Sequence, residues 1–339
     1  MNDGLIEPIG LIDGQNAAAA VDAGAALWLA GGPLAFPLVR IGQRILPVDR
    51  LPADSQSALL RLTAPPPVWA GLTGARPQVM GILNVTPDSF SDGGDFLDPE
   101  RAVAAGLAMV AAGADLVDVG GETTRPGSHP TPIAEEIARV VPVVRALAQA
   151  GVVVSVDTRN AETMRAALDA GARIVNDVSA LTHDPAALGL VAERGCPVVL
   201  MHMRHDPANM TRLARYDDVA LEVARELGAR VEASVAAGVP RGHIAVDPGV
   251  GFAKTPAHNI ALLPRLALLL NLGCPILAGV SRKVFVGELS GIAEPRRRVA
   301  GSIAAGLIAV SRGASILRVH DVAETVQVAR VWRGLAGIG

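Results

Sequence analysis

Asp157, Asn176, Asp247 and Lys283 are the residues through which this chain can hold a flat, polar ring. Two carboxylates and an amide complement a heterocycle that presents ring N–H groups and a carbonyl, such as a pterin or a purine. The match has to be close, because each buried polar group left without a partner costs about 1–3 kcal/mol. Lys283 adds a cationic donor beside them. Arg318 and His320, together with Asn84, offer a second chemistry. They bring positive and switchable charge to the start of a last helix, an arrangement that holds phosphate. The amide oxygen of Asn84 also suits Mg2+, an ion that takes few protein oxygens and relies on substrate phosphates.

A repeated strand–loop–helix unit can bring residues so far apart together. Apolar runs at Gln78–Leu83, Leu116–Val119, Val152–Val156, Ile174–Asn176, Val198–Met201, His243–Val246, Ile276–Val280 and Ser315–Val319 read as buried strands. Helical patterns alternate with them at Pro99–Ala112, Ile133–Ala150, Ala161–Ala170, Ala186–Glu193, Tyr216–Ala237, Asn259–Leu270 and Arg296–Arg312, and a last one covers Val322–Val331. Several stop at a glycine, as at Gly113, Gly151, Gly171 and Gly195. Eight strands alternating with eight helices over about 260 residues predict an α/β fold, a (β/α)8 TIM barrel whose strand ends share one rim. An open doubly wound sheet is the structural alternative. No G-x-G-x-x-G follows the first strand, which argues against a dinucleotide site.

At that rim the strands end, in order, in polar groups. They are Asn84 with the loop through Gly94, Asp118 with GGETTRPGS, Asp157, Asn176-Asp177, His202, Asp247 with PGVGFAK, Ser281-Arg282-Lys283, and Arg318 with His320. One acid at a strand end is often only a helix cap. Eight polar ends exceed what capping requires. His202 and His205 lack a third ligand at metal-binding spacing, so a supporting role is expected of them. Glu122 and Asp177 are candidate general bases or, the reading preferred here, satisfied loop carboxylates. Gly120-Gly121 and Gly249-Gly251 permit close backbone approach.

Composition narrows the class. The chain has 339 residues, 50% of them hydrophobic, and a formal charge of −3. No basic surplus points to nucleic acid or to an anionic membrane. Ala17–Ala30 is broken by Asp22 and preceded by acidic residues, so neither a signal peptide nor a spanning segment is expected. Cys196 and Cys274 read as small buried hydrophobes, and a cytoplasmic location is expected. Of the 30 basic residues only Lys254 and Lys283 are lysines. A chain that otherwise uses arginine keeps lysine where a compact ammonium is needed. Residues 1–76 differ from the rest and end in a stiff Ala64-Pro65-Pro66-Pro67 run. They are expected to be a small accessory extension, with residues 77–339 forming the catalytic barrel.

The motifs NVTPDSFSDGG, DVGGETTRPG, SVDTR, NDVSAL, DPGVGFAK, SRK and R-V-H resemble, in content and order, those of the dihydropteroate synthases. The resemblance covers residues 77–339 and implies a (β/α)8 enzyme, usually a homodimer. Its reaction would join (7,8-dihydropterin-6-yl)methyl diphosphate to 4-aminobenzoate, giving 7,8-dihydropteroate and diphosphate in folate biosynthesis. The resemblance implies pterin contacts from Asp157, Asn176, Asp247 and Lys283, and a Mg2+ and diphosphate contact from Asn84. It implies second-loop substrate contacts from Thr124 and Arg125, a diphosphate site at Arg318 and His320, and an aminobenzoate side lined by Phe252 and Ser281. The expected mechanism is a dissociative substitution by electrostatic preorganisation, with no covalent enzyme intermediate. That agrees with the lack of an evident nucleophilic triad. A methyltransferase barrel serving a corrinoid partner would share the Asp/Asn/Asp cradle but would not need the Asn84 loop with Arg318 and His320. A non-catalytic pterin-binding module would not need to keep its anion site intact.

Overall fold

The computed structural model describes residues 4–72, 76–86, 98–123, 130–204, 210 and 214–335. Before the barrel the apolar runs are short, and the chain forms small pieces to match. These are β1 (Glu7–Ile9), α1 (Gly14–Asp22), β2 (Leu27–Trp28), β3 (Ala35–Phe36), β4 (Leu38–Ile41), β5 (Arg44–Pro47) and α2 (Gln56–Thr63). β1, β4 and β5 make a three-stranded antiparallel sheet, and β2 pairs with β3. This unit is bolted to the barrel's flank. Ile6 N donates to Asn271 Oδ1 at 3.1 Å, and Asn271 Nδ2 returns a bond to Ile6 O at 2.8 Å. Arg265 grips Glu7 through Nε at 2.5 Å and also reaches Asp218 at 2.8 Å.

Eight parallel strands then close on themselves: β6 (Gln78–Asn84), β7 (Leu116–Gly120), β8 (Val154–Asp157), β9 (Ile174–Asp177), β10 (Val198–Met201), β11 (Ile244–Asp247), β12 (Ile276–Ala278) and β13 (Ala314–Val319). β13 pairs back onto β6, so the sheet has no edge. The outer helices are α3 (Pro99–Ala111), α4 (Ile133–Gln149), α5 (Ala161–Asp169), α6 (Ala187–Arg194), α7 (Val219–Ala236), α8 (Pro256–Leu262), α9 (Val284–Ser290), α10 (Val299–Ser311) and α11 (Val322–Leu335). All eight expected strands form, with small shifts at their ends.

Two helical expectations are corrected. Asn259–Leu270 is a short α8 followed by a 3₁₀ stretch, Leu263–Leu272, with a kink at Arg265. Pro264 lacks the N–H that an unbroken α-helix needs there. The reading Arg296–Arg312 is a 3₁₀ turn at Pro295–Arg297 followed by α10, and the separate α9 before it was not expected. α9 has seven residues, too few for a helical period to stand out, yet it buries Phe285 and Val286.

Side-chain alternation decides what fills the barrel. Met80, Leu116, Ile174, Val199, Ala245, Leu277 and Ile316 form one inner cluster at the amino ends of the strands. Trp69, ahead of the first barrel strand, joins that cluster from below, and its Nε1 donates to His243 O at 2.9 Å. The base is therefore a packed apolar floor. Two residues further along, on four of these strands (β7, β9, β11 and β13), the same inward face carries Asp118, Asn176, Asp247 and Arg318. One sequence rule thus stacks a polar layer directly on an apolar one.

Candidate active site

The upper layer is joined by a guanidinium. Arg318 Nε donates to Asp118 Oδ2 at 2.6 Å, and Arg318 Nη2 donates to Asp157 Oδ2 at 2.6 Å. Asn176 Nδ2 donates to the same Asp118 Oδ2 at 2.9 Å. Asp118 has no solvent exposure, and its Oδ1 has no protein partner among the described residues. Burial raises the Asp157 carboxyl above its ordinary value, against the pull of Arg318. Burial works against the charge on Arg318 too, but Asp118 and Asp157 hold that guanidinium protonated.

On the opposite side stands Asp247, the last residue of β11. Its Oδ1 accepts from Gly249 N at 2.7 Å. Burial raises its carboxyl, while that hydrogen bond and the Lys283 charge act in the other direction. Lys283 precedes the first residue of α9 and lays its ammonium 4.4 Å above the centre of the Phe252 ring. Burial brings the Lys283 ammonium down to about 8, with Asp247 opposing the shift. A Cβ added at Gly251 (φ +84°) would lie 3.2 Å from Lys283 Cδ, so glycine there lets the lysine stem lie flat.

Arg318 and His320 follow one another on the last strand and its loop, but they differ in partners. Ser281 Oγ accepts from His320 N at 3.2 Å and lies 3.0 Å from His320 Nδ1. Burial, and then the neighbouring Arg282 and Arg318 cations, lower the His320 imidazole to about 4. At neutral pH His320 is therefore an uncharged group, with Nδ1 held by the serine hydroxyl and Nε2 free of that contact. Asn84 ends β6, half-buried, at the same rim. Thr124, Arg125 and His205 lie outside the described residues.

The structure thus joins Asp157 to Arg318 directly and Asn176 to Arg318 through Asp118, and pairs Lys283 with Phe252 and His320 with Ser281. Glu122 receives two bonds from Arg159, at 3.1 and 3.2 Å, and Asp177 accepts from Ser179 and Leu181, so both are satisfied carboxylates. Asp118 is the residue that sequence reasoning left out of the cradle. Its signal is its register: it lies two residues beyond inward Leu116, as Arg318 lies two beyond inward Ile316. Among the described residues no group of three His, Cys, Asp or Glu side chains can hold a metal by itself. An ion that keeps its waters and substrate phosphates needs less, and the single amide oxygen of Asn84 fits that demand. Among those residues no helix is long and apolar enough to cross a membrane.

Comparison with known proteins agrees with this geometry. Residues 80–320 match the family described as pterin binding enzyme. The chain is 50% identical over 260 residues to a dihydropteroate synthase from Mycobacterium leprae, an alignment covering 75% of this chain and 92% of that protein. It is similar to the solved Xanthomonas albilineans dihydropteroate synthase with 4-aminobenzoic acid, with a TM-score of 0.72 and 47% identity over 88% of this chain and 98% of that one. It is also similar to that enzyme in complex with 7,8-dihydropteroate, with a TM-score of 0.70 and 50% identity over 77% and 94% of the two chains.

Proposed function

Because the chain belongs to the pterin binding enzymes, and within them to the dihydropteroate synthases, we infer that its barrel rim condenses the two halves of dihydropteroate. The reaction joins (7,8-dihydropterin-6-yl)methyl diphosphate to 4-aminobenzoate and releases diphosphate, so the chain is a transferase of folate biosynthesis. The observation that carries the site assignment is the polar layer above the apolar floor. There Asp118, Asp157, Asn176 and Arg318 are linked by hydrogen bonds of 2.6–2.9 Å.

Asp157, Asn176, Asp247 and Lys283 hold the pterin. The carboxylates accept its ring N–H groups, and they stabilise positive charge that develops when the methylene–oxygen bond breaks. Arg318 keeps the nearby carboxylates from repelling one another. His320, neutral and held by Ser281, offers its Nε2 side to the leaving diphosphate. Thr124 and Arg125 belong to the second substrate loop. Phe252 and Ser281 line the side from which the aromatic amine attacks. A Mg2+ ion arriving with the diphosphate would take Asn84 as its protein ligand and neutralise the charge that leaves. No residue is asked to act as a covalent nucleophile.

The protein works as a cytoplasmic homodimer in this reading. Val284, Leu289, Ile308, Val331 and Leu335 are exposed apolar side chains on α9, α10 and α11, three successive helices of one flank, and a second copy would cover them. Residues 1–76 remain an accessory unit on the barrel. The deciding experiment is diphosphate release by the purified protein. Release that requires both substrates and Mg2+ is expected, and release with the pterin substrate alone would overturn the reading.

A further inference from the structure

The second lysine of the chain is not in the substrate cradle, yet it is nearly as enclosed. Lys254 ends the loop after β11 and is 4% exposed. Its Nζ lies 2.9 Å from His202 Nδ1, and it donates to Gly249 O and to Phe252 O, both at 3.1 Å. An ammonium has three hydrogens, and all three have acceptors here. The wide, planar fork of arginine cannot converge on such a point. The contact also fixes the histidine tautomer. His202 Nδ1 accepts from Lys254, so Nε2 carries the proton and donates to Glu226 Oε2 at 3.0 Å.

From Glu226 the connections return to their origin. Arg204 Nε donates to Glu226 at 3.1 Å, and the Arg204 guanidinium lies 4.1 Å above the centre of the Tyr216 ring. Tyr216 OH then donates to Ala253 O at 3.0 Å, one residue before Lys254. This ring of contacts clamps a loop that would not hold its shape alone. Ala253 sits at φ +48°, a conformation that alanine adopts reluctantly. Gly249 sits at φ +66°, where a Cβ would lie 1.9 Å from the carbonyl oxygen of His202.

The clamped loop supplies two parts of the cradle. Gly249 N holds the Asp247 carboxylate, and Phe252 carries the ring under the Lys283 ammonium. Lys254 binds the carbonyls of these same two residues. We propose that Lys254 is a positioning residue of the pterin site, anchored by His202, which orients Asp247 and Lys283 through the loop between them. This rests on the pterin cradle proposed above.

The test measures binding of 7,8-dihydropteroate by calorimetry, with steady-state kinetics, on Lys254→Met, His202→Phe and His202→Asn. Each variant is assayed at a temperature where its circular dichroism shows it folded. Lys254→Met is expected to weaken binding at least about tenfold, the size of a buried charged hydrogen bond lost. KM for the pterin substrate should rise in step, and kcat should fall as well, because a displaced Asp247 stabilises less of the developing charge. His202→Phe removes the anchor and should match it. His202→Asn returns an acceptor near the Nδ1 position and should recover most of the affinity. A folded Lys254→Met protein that binds within about twofold of wild type overturns the proposal, and so do His202→Asn and His202→Phe variants with equal affinity. If Lys254→Met does not fold, the two His202 variants decide. Failure of the unaltered protein to bind 7,8-dihydropteroate would instead count against the cradle itself.

Discussion

Arg318 Nε meets Asp118 Oδ2 at 2.6 Å inside the barrel, reaching past β6 to join β13 to β7. Losing Arg318 leaves two buried carboxylates without their shared counter-ion, and losing Asp118 leaves Arg318 with Asp157 alone. Asp118→Asn keeps the shape but turns an acceptor of two donors partly into a donor. We expect it to lower stability by about 3 kcal/mol, as for a broken buried pair. Activity should fall as well, since Asn176 and Asp157 lose their common reference. Urea denaturation measures the first effect, and a change below about 1 kcal/mol would show that Asp157 alone suffices for Arg318.

Asp157→Asn and Asp247→Asn each replace an acceptor of ring N–H groups with a group that must also present donors. Pterin affinity is expected to fall at least about tenfold in each. Calorimetric values within about twofold of wild type would remove that aspartate from the cradle.

Lys283 is confined by Gly251 at its stem and by Phe252 beneath its ammonium. Arginine keeps the charge, but its planar fork does not fit this space. Lys283→Arg should therefore lower kcat/KM almost as much as Lys283→Ala, and steady-state kinetics on both variants tests this. A Lys283→Arg enzyme near wild-type activity would show that charge alone is required.

The same lysine predicts an alkaline limit. Its charge is present below about 8 and is lost as pH rises through that value. kcat/KM for the pterin substrate should decline from about pH 8, well before an ordinary lysine titrates. Stability moves the other way. Between about 8 and 10.5 the unfolded chain binds more protons at this group, so its linkage term favours the folded state as pH rises. Loss of activity without loss of Tm over this window is the expected signature. A profile flat to pH 10 contradicts it.

Trp69 gives a prediction about truncation. A chain beginning at residue 67 keeps Trp69 in the floor of the barrel, whereas one beginning at residue 77 lacks it. Trp69→Ala should cost about 3–5 kcal/mol, as for other large-to-small changes in a core, and leave both KM values unchanged. Thermal and urea unfolding of the two truncations and of the point variant provide the check.

Much of this was legible from the residues themselves. The alternation of short apolar runs with helical patterns identified the barrel, and the polar strand ends marked its working rim. Glu226, Arg204 and Tyr216 could not be read in the same way, because each resembles an ordinary residue of a solvated helix or loop. Only the fold brings them round to Ala253 and Lys254. The role of Trp69 was hidden for a similar reason. It lies outside any strand and just after a proline run, so its partners are assembled by topology and not by local pattern.

The bond from Ile6 to Asn271 spans 265 positions. At ordinary synthesis rates of about 5–20 residues per second, the amino-terminal unit leaves the ribosome roughly 13–53 seconds before its docking surface exists. Trp69 likewise awaits Ile316 before its floor is complete. During that interval β1 and α2 lack the Leu263–Leu272 stretch against which both pack in the folded chain. The nascent chain therefore presents its most exposed form early, and a chaperone that holds the first seventy residues would act on the step where the least of the native core is available.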